Sequence, residues 1–456
     1  MNAQLSRISK LFIDRDEMHI KDTLIRRQNY FVTIRCGRDI EKSRTLQVAL
    51  LTAANIANKC FPGAVRVVLK DSSKKTPLLI WQSLKLTLGQ ALTRLLGPQI
   101  FVYAKIHNAG NHDIVLGDAQ PMDGSLRITF DGWIGKVGPA DSVERLPENE
   151  YCPLSGVLSA ALAISELFLS FAEINVEASR RAVGLSLWRP ELNITNPEAI
   201  GVPIEFLPRD MWVLGLGHLG NAYLWSLSML PYLDPMAVEI ILNDFDKIEP
   251  ENVETGLIFN TQDIGNYKTR VCSGWLEKRK FKTRIVERYF DSNFQCRKDE
   301  PQLALCGFDS NSPRRDLVSA QFNRVVESGL GGTANNFDTI SLHTLPNMRP
   351  PEEMWPDPKA EEMAEHQLAL ARKNHTYLDL AADECGRFNL AGKSVAVPFV
   401  GAVAGSLVIA EIIRLLHRGP AYTNIKLTLT DLNWRHAQTT RNYDHNDFIG
   451  LTYYNL

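Results

Sequence analysis

The sequence predicts an α/β protein with two similar halves, and three observations lead to this fold class. Strand-like and helix-like patterns alternate in both halves of the 456-residue chain, as in proteins built around parallel sheets. A glycine-rich turn stands between a predicted strand and a predicted helix at residues 215–220. A motif of five identical residues also recurs at an offset of 245 residues, from Pro153 to Pro398, once near the end of each half.

The first half begins with a β-α-β pattern and ends in an apolar helix. Runs of apolar and β-branched residues predict strands, whereas apolar residues three or four apart predict helices. On these grounds we predict strands at 30–35, 65–69, 99–103, 114–116 and 126–130, and helices at 45–58 and 156–171. The polar stretch that follows contains four prolines at 173–209 and predicts a partly ordered connector.

The second half repeats this scheme with more elements. We predict strands at 212–214, 238–242, 284–286, 303–305, 324–326 and 425–430, and helices at 217–230, 265–279, 313–323 and 401–417. Five prolines after Leu345 predict an irregular stretch to about residue 375, followed by a charged helix. The predicted divisions of the chain are therefore 1–172, the connector 173–209, 210–435, and a polar tail at 436–456.

The repeated motif lies on the last apolar helix of each half. Its members are Pro153, Gly156, Leu162, Ile164 and Glu166, which match Pro398, Gly401, Leu407, Ile409 and Glu411. Helices rich in small residues can resemble one another by chance. The equivalent position in both halves nevertheless favours an internal duplication.

Composition and charge exclude several classes of protein. The net charge of −2 argues against a nucleic-acid binder that works through a basic field. The seven cysteines lie far apart without a CxxC pair, which is typical of reduced thiols and argues against a CxxC zinc site. The N-terminus has no apolar signal segment, and the run 395–410 is shorter than the roughly 20 apolar residues of a membrane span. We expect a cytoplasmic protein that binds neither nucleic acid nor a membrane.

The glycine-rich turn has the sequence GLGHLG at residues 215–220. Gly215 permits a tight turn, Gly217 lets a ligand approach the backbone, and Gly220 lets the next helix pack closely on the strand. The N-terminus of that helix offers free N–H groups to a phosphate. Asp244 ends the next strand, within reach of a ribose hydroxyl. The pattern predicts a Rossmann-like nucleotide site, which by itself separates neither NAD from ATP.

Further motifs favour ATP. Residues 244–252 read DFDKIEPEN, residues 263–268 read DIGNYK, and FDSN follows a predicted strand at 308–311. A dehydrogenase has no evident need for a lysine and a second strand-end acid around the phosphates. In an adenylating enzyme, Lys268 would offset triphosphate charge and a carboxylate such as Asp309 would hold Mg²⁺.

With these motifs, residues 210–435 resemble the ThiF/MoeB/ubiquitin-activating enzyme superfamily. The resemblance implies that Gly215, Gly217 and Gly220 form the nucleotide loop and that Asp244 binds the ribose. It also implies that Asn252 and Lys268 contact phosphates and that Asp309 holds Mg²⁺. The first half has Arg35-Cys-Gly-Arg-Asp39 in place of the glycine loop. It is similar to the degenerate, inactive half of two-part ThiF-type enzymes, which completes an internal pseudo-dimer.

The match departs from the family pattern at several points. Thr255 stands where the family commonly has an arginine, and His218 replaces a frequent glycine. The arginine that often reaches the site from the other half has three candidates in this chain, Arg15, Arg26 and Arg27.

Cys385 is the candidate for a second chemical step. Activating enzymes that form thioesters place their cysteine in the crossover segment, which corresponds to 345–390 here. A reachable thiolate would attack the acyl-adenylate. Asp383 and Glu384 do not favour a thiolate, whereas Arg387 does, and an ordinary loop cysteine is the alternative.

The resemblance implies an ATP- and Mg²⁺-dependent enzyme that adenylates the C-terminal glycine of a ubiquitin-like protein. Cys385 would then carry the acyl group as a thioester and pass it to a conjugating-enzyme-like protein. Extended further, the resemblance implies a bacterial operon for the conjugation of a ubiquitin-like protein, a class of operon linked to antiviral defence. It also implies a possible homodimer. The alternatives are an adenylyltransferase for a sulfur-carrier protein without a thioester, a non-catalytic nucleotide-binding scaffold, and, more distantly, an NAD dehydrogenase.

Overall fold

A computed structural model describes residues 6–97, 100–101, 112–356, 360–381, 383–439 and 452–456. It contains two mixed sheets with helices packed on them, so the predicted α/β class with two Rossmann-like halves is confirmed. The predicted strand at 99–103 lies mostly outside the described residues.

The first half is built on a six-stranded sheet. Its strands are β1 (Val32–Cys36), β2 (Val65–Val68), β3 (His112–Leu116), β4 (Leu126–Asp131), β5 (Ile134–Pro139) and β6 (Val183–Ser186). Its helices are α1 (Ser9–Asp16), α2 (Ile20–Gln28), α3 (Arg44–Cys60), α4 (Asp71–Lys75), α5 (Leu88–Leu96) and α6 (Leu154–Phe171). The order is β2-β1-β3-β4-β5-β6, in which the first four strands are parallel and the last two pair antiparallel.

The second half is built on an eight-stranded sheet. Its strands are β8 (Asp210–Leu214), β9 (Glu239–Asn243), β10 (Lys282–Val286), β11 (Leu303–Cys306), β12 (Arg324–Leu330), β13 (Thr339–Leu345), β14 (Tyr422–Thr428) and β15 (Arg435–Thr439), while β7 (Phe206–Pro208) and β16 (Tyr453–Asn455) form a separate pair. Its helices are α7 (His218–Ser228), α8 (Pro250–Thr255), α9 (Lys268–Lys278), α10 (Asn311–Asp316), α11 (Pro351–Met354), α12 (Ala360–Lys373), α13 (His375–Leu380), α14 (Glu384–Gly392) and α15 (Pro398–Leu416). The order is β10-β9-β8-β11-β12-β13-β14-β15.

The two sheets share one topology, which supports the internal duplication. The order β2-β1-β3-β4-β5-β6 recurs as β9-β8-β11-β12-β13-β14, with the same change from parallel to antiparallel pairing. The repeated motif lies on α6 and α15, which pack on α3 and α7 in turn. A Cβ on Gly156 would lie 2.6 Å from the Thr45 carbonyl, and one on Gly401 would lie 2.3 Å from His218 Nε2. The motif glycines therefore mark equivalent close contacts.

The helices α6 and α15 form the centre of the protein. By length and composition both could cross a membrane, yet 94% of each apolar window is buried inside the protein. They also contact each other, so the two halves share one continuous hydrophobic core. This burial explains their apolar composition by packing alone.

The turn after β1 shows why the first half lacks a phosphate cradle. A Cβ on Gly37 would lie 1.7 Å from Asp118 Oδ1. The Asp39 carboxylate accepts a hydrogen bond from the Asp118 N–H and pairs with Arg145. The side chains of Asp39 and Asp118 thus fill the turn that corresponds to the glycine loop of the second half.

Several predicted elements differ from the structure. The connector contributes β6 to the first sheet, and the stretch predicted as irregular contains the 14-residue helix α12. The predicted helix 313–323 is the short α10, and the predicted polar tail includes β15 and β16. The prolines end at Pro358, before α12 begins, so the prediction of an irregular stretch to residue 375 was wrong there. The predicted division points at 172, 209 and 435 stay predictions.

Candidate active site

A cavity of about 320 Å³ lies at the carboxyl ends of β8, β9 and β11. Ligands bind at this edge in open α/β sheets, because the strand ends and the helix N-termini converge there. Six of the predicted site residues line the cavity: Gly215, Gly217, Asp244, Asn252, Lys268 and Asp309. Gly220 lies within α7 behind the loop, and Cys385 lies outside the cavity lining.

The glycine loop has the geometry that its sequence predicts. Gly215 is left-handed, with φ 78°, and a Cβ there would lie 3.0 Å from the Phe308 ring. A Cβ on Gly220 would lie 2.0 Å from the Gly215 carbonyl oxygen, so only glycine permits this turn. Gly217 faces open space and precedes α7 without any side-chain cap. The first N–H groups of α7 are therefore available to an acceptor in the cavity.

Asp244 organises the turn after β9. Its carboxylate accepts hydrogen bonds from the Leu216 N–H at 2.7 Å and from the Asp246 N–H at 2.9 Å. Burial raises its pKa, while the nearby Lys268 acts in the opposite direction. The carboxylate thus links the glycine loop to the acidic turn.

Lys268 is only 7% exposed and begins α9. Its Nζ lies 2.7 Å from Asp246 Oδ2, which fixes the ammonium group at the cavity wall. Asp246 lies in the motif at 244–252, where the sequence alone predicts no role for it. The structure gives it one, because a buried ammonium group needs a charged or polar partner.

Asn252 and Thr255 both lie on the short helix α8, but only Asn252 faces the cavity. Asn252 lines the cavity, and its Oδ1 accepts a hydrogen bond from the Glu249 N–H at 2.9 Å. Thr255 is 1% exposed, and its hydroxyl donates to the Glu251 carbonyl. The residue that replaces the family arginine therefore packs inside the protein and is absent from the cavity lining.

Arg7 is the arginine that reaches the cavity from the first half. It lines the cavity and donates from Nε to the Ser394 carbonyl at 3.1 Å, and from Nη2 to the Ser394 hydroxyl. Burial lowers its pKa, whereas Glu251 and Asp309 raise it. It was not among the sequence candidates, because it lies before α1 and no local pattern marks it.

The three arginines that were candidates lie elsewhere. Arg15 donates to the Ala172 carbonyl, and Arg26 pairs with Glu173 at 2.8 Å. Arg27 is fully buried and donates to the carbonyls of residues 59 and 60. None of the three lines the cavity, so this part of the sequence interpretation was wrong.

Asp309 is held at the cavity edge by its neighbours. Arg314 donates to the Phe308 carbonyl and lies 3.0 Å from Glu327 Oε1, which anchors the turn after β11. The Asp309 carboxylate itself is exposed to the cavity. Among the described residues no cluster of three metal-ligating side chains occurs. A single carboxylate fits Mg²⁺, which takes most of its ligands from phosphates and water.

Aromatic rings form another wall that the sequence interpretation missed. Phe245, Tyr289, Phe290 and Phe308 line the cavity, and the rings of Phe245 and Tyr289 lie 5.3 Å apart. Phe245 and Tyr289 remain about half exposed. The signal was the Arg-Tyr-Phe run at 288–290, just beyond the carboxyl end of β10.

His218 begins α7 and lies between the cavity and α15. Its Nε2 is buried without a hydrogen-bond partner in the described structure. Burial, together with the charge of Arg7, lowers the pKa of the imidazole to about 3. The ring is therefore neutral at neutral pH.

Cys385 is exposed, whereas Cys36 is half-buried and the other five cysteines are buried. It lies in the first turn of α14, where Asp383 accepts a hydrogen bond from the Gly386 N–H at 3.0 Å. Burial raises the pKa of the other six thiols: Cys36, Cys60, Cys152, Cys272, Cys296 and Cys306.

Comparisons with known proteins agree with this arrangement. Residues 31–187 match the family described as the BilD N-terminal domain, and residues 207–419 match the BilD C-terminal domain. The chain is 33% identical over 444 residues to the bacterial E1-like protein BilD of Collimonas sp. (strain OK412), which covers 95% of this chain and 94% of that protein.

Solved structures show a more distant similarity. The crystal structure of E. coli MccB with succinimide is 16% identical, covers 66% of this chain and 74% of its own, and has a TM-score of 0.36. The structure of E. coli MccB with MccA-N7isoASN is 16% identical, covers 69% and 94%, and has a TM-score of 0.36. The sequence match over nearly the whole length shows that the chain belongs to the BilD family of bacterial E1-like proteins.

Proposed function

We propose that the protein uses ATP to adenylate the carboxyl terminus of a ubiquitin-like protein. The observation that carries this proposal is the convergence of Lys268, Asp309 and Arg7 on one cavity beside the glycine loop. Two cations, a carboxylate and free helix N–H groups suit a triphosphate and its transition-state charge. An NAD site would not use this charge arrangement.

Each group has a distinct task in the proposed reaction. The N–H groups at the start of α7 would hold a phosphate, and Asp244 would accept a hydrogen bond from the ribose. The wall of Phe245 and Tyr289 would contact the base. The substrate carboxylate attacks the α-phosphorus, the bond to the bridging oxygen breaks, and pyrophosphate leaves. Lys268 and Arg7 stabilise the charge that develops on the phosphate oxygens.

Magnesium would be held by Asp309 together with phosphate oxygens and water. When bound, it would supply charge neutralisation at the phosphates. Asp246 would keep Lys268 in position until the nucleotide enters. Asn252 would add a hydrogen bond near the reacting carboxylate.

ATP–pyrophosphate exchange tests the adenylation step. Exchange should require a ubiquitin-like substrate with a C-terminal glycine, and Asp309→Ala should reduce it by about 100-fold or more. The matched control is Asp316→Ala, an acid at the end of α10 that is absent from the cavity lining. Unchanged exchange in Asp309→Ala, or no exchange with any such substrate, would contradict the proposal.

We further propose that Cys385 receives the acyl group as a thioester. The exposed thiol at the start of α14 supports this step, since the other six cysteines are less accessible. The thiolate attacks the acyl-adenylate, AMP leaves, and the thioester then passes to a conjugating-enzyme-like protein. Cys385 lies outside the cavity lining, seven residues or about 10 Å of helical rise from the end of α14 at Gly392, so the proposed attack includes a movement of α14.

A reducible adduct on gels tests the thioester. Cys385→Ala should keep ATP–pyrophosphate exchange and lose the adduct, whereas Cys296→Ala should keep both. An adduct that persists in Cys385→Ala would transfer the role to another cysteine. Adenylation without any adduct in the wild type would favour the alternative, an adenylyltransferase for a sulfur-carrier protein.

A further inference from the structure

A second cavity, of about 270 Å³, lies at the junction of the two halves, away from the candidate active site. The first half contributes Arg44 and residues 79–83, and the second half contributes residues 230–236 and 279–281. Ser228 at the C-terminal end of α7 lines it, whereas Gly217 at the other end lines the active site. The 11 residues of α7 separate the two cavities by about 16 Å.

Arg279 is the central polar group of this second cavity. The residue is 8% exposed, and its guanidinium lies between two rings, 4.1 Å from the centroid of Trp81 and 3.5 Å from that of Trp275. Its Nη1 donates to the Trp275 carbonyl at 2.9 Å. Among the residues that the structure describes, no carboxylate forms an ion pair with it. Burial accordingly lowers its pKa to about 9, with no opposing contribution from an acid.

Buried polar atoms without partners also lie beside this cavity. Arg279 Nε and Ser83 Oγ have no hydrogen-bond partner in the described structure, and both residues line the cavity. A buried guanidinium without a counter-charge is costly unless a ligand completes it. Because a guanidinium can only donate hydrogen bonds, the missing partner is an acceptor.

The charges around the cavity point to an anionic acceptor. Arg44, Arg279 and Lys280 face a single acid, Asp234. The Asp234 carboxylate is already an acceptor for the Met236 N–H at 3.1 Å.

The rim around the anionic position is apolar and exposed. Leu233 is 69% exposed and Met236 is 53% exposed, and the rings of Trp81 and Tyr232 continue the surface. The cavity volume is below the range of about 300–1,000 Å³ for drug-sized ligands. An exposed apolar rim around a small central pocket of Trp, Tyr and Arg is instead the composition of a protein-binding hot spot.

We propose that this cavity is a docking site for a polypeptide partner that presents an acidic side chain flanked by apolar residues. The carboxylate would enter between Trp81 and Tyr232 and pair with Arg279, while the flanking residues would cover Leu233 and Met236. This site is separate from the proposed adenylation chemistry. The two proposals can therefore fail independently.

Selection from a phage-displayed library of random dodecapeptides tests the proposal. The full-length protein is immobilised, and the Arg279→Met variant in solution removes peptides that bind elsewhere. Methionine keeps the aliphatic volume between the two rings and removes the charge, so the variant should fold. Recovered peptides should contain Asp or Glu next to apolar residues. Recovery of peptides without an acid, or failure to enrich any peptide, would overturn the proposal.

Fluorescence anisotropy of a recovered peptide then measures the contributions separately. Its acid-to-amide copy should bind about tenfold more weakly, as should the acidic peptide on Arg279→Met. Met236→Asp should weaken binding by a similar factor, because the new carboxylate repels the acid of the peptide. This variant replaces Arg279→Met in the test if Arg279→Met does not fold. The control Val318→Asp changes a side chain of equal exposure, 53%, outside this cavity and should bind normally.

Two further measurements complete the test. ATP–pyrophosphate exchange should be unchanged in Arg279→Met and Met236→Asp, because neither residue lines the active-site cavity. Inorganic phosphate at the peptide's own concentration should not displace the peptide. Displacement by phosphate, or equal peptide affinity for the wild type and both variants, would contradict a polypeptide docking site.

Discussion

The duplicated glycines Gly156 and Gly401 allow one packing defect to be placed in either half of the protein. In Gly401→Ala the new methyl group would lie 2.3 Å from His218 Nε2, whereas ordinary contact begins at 3.4 Å. The imidazole must therefore move by about 1.1 Å. His218 is the first residue of α7 and lies beside the glycine loop. In Gly156→Ala the methyl group would meet the Thr45 carbonyl at 2.6 Å, far from any glycine loop.

Both variants should lose stability, and Gly156→Ala should lose the more because its methyl group meets backbone atoms rather than the end of a side chain. Overpacking costs about 1–3 kcal/mol, while alanine gains about 1 kcal/mol over glycine within a helix. We expect a net loss of up to about 2 kcal/mol in the free energy of unfolding for each, measured by urea denaturation. The activities should differ, because a shift of about 1 Å in a positioning group costs about 100-fold in rate.

The assay is substrate-dependent ATP–pyrophosphate exchange at a temperature where both variants stay folded. Gly401→Ala should lose about 100-fold, and Gly156→Ala should stay within about threefold of the wild type. Equal losses in both variants would mean that exchange reports only overall stability. Wild-type exchange in Gly401→Ala would show that the α7–α15 contact does not position the loop, and the reasoning would be refuted.

Two other variants test single side chains of the site. Arg7→Ala should lower the rate of exchange by about 100-fold, whereas Arg15→Ala, which removes a hydrogen bond to Ala172, should not; equal effects would remove Arg7 from the site. The pKa of His218 is lowered from 6.5 to about 3 in the folded protein. As the pH falls below 6.5, the imidazole is therefore protonated in the unfolded chain but not in the folded protein, and the free energy of unfolding decreases. Between pH 7 and pH 5 the loss of stability should be about 2 kcal/mol smaller in His218→Asn than in the wild type, measured by urea denaturation, while His112 and His417, whose pKa values burial also lowers, contribute equally to both. An identical pH dependence would contradict the buried neutral imidazole.

The parts of the site that were predictable from sequence are those with local causes. Gly215 and Gly220 stand at fixed spacing because the turn between β8 and α7 leaves no room for a Cβ at either position, while Gly217 leaves the start of α7 open. Asp244 and Lys268 follow the same logic, since Asp244 directly follows β9 and Lys268 begins α9. Short-range geometry of this kind leaves a pattern in the sequence.

The parts that were not predictable depend on contacts distant in sequence. Arg7 reaches the cavity through Ser394, and nothing near Arg7 in the chain indicates a partner 387 positions away. The strand β6 is short and contains a glycine, so only its pairing with β5 makes it a strand. Trp81 and Arg279 likewise meet only at the junction between the halves, where no periodicity applies.

The contribution of Arg7 has a consequence for how the protein behaves on dilution. An active site that is completed by a second molecule is lost when its concentration falls below the dissociation constant. Here the same polypeptide supplies both the glycine loop and the arginine, so the two are held at a high effective concentration. Activity per mole of protein should therefore remain constant on dilution. Each molecule should also bind one nucleotide without cooperativity, because carboxylates fill the corresponding turn of the first half.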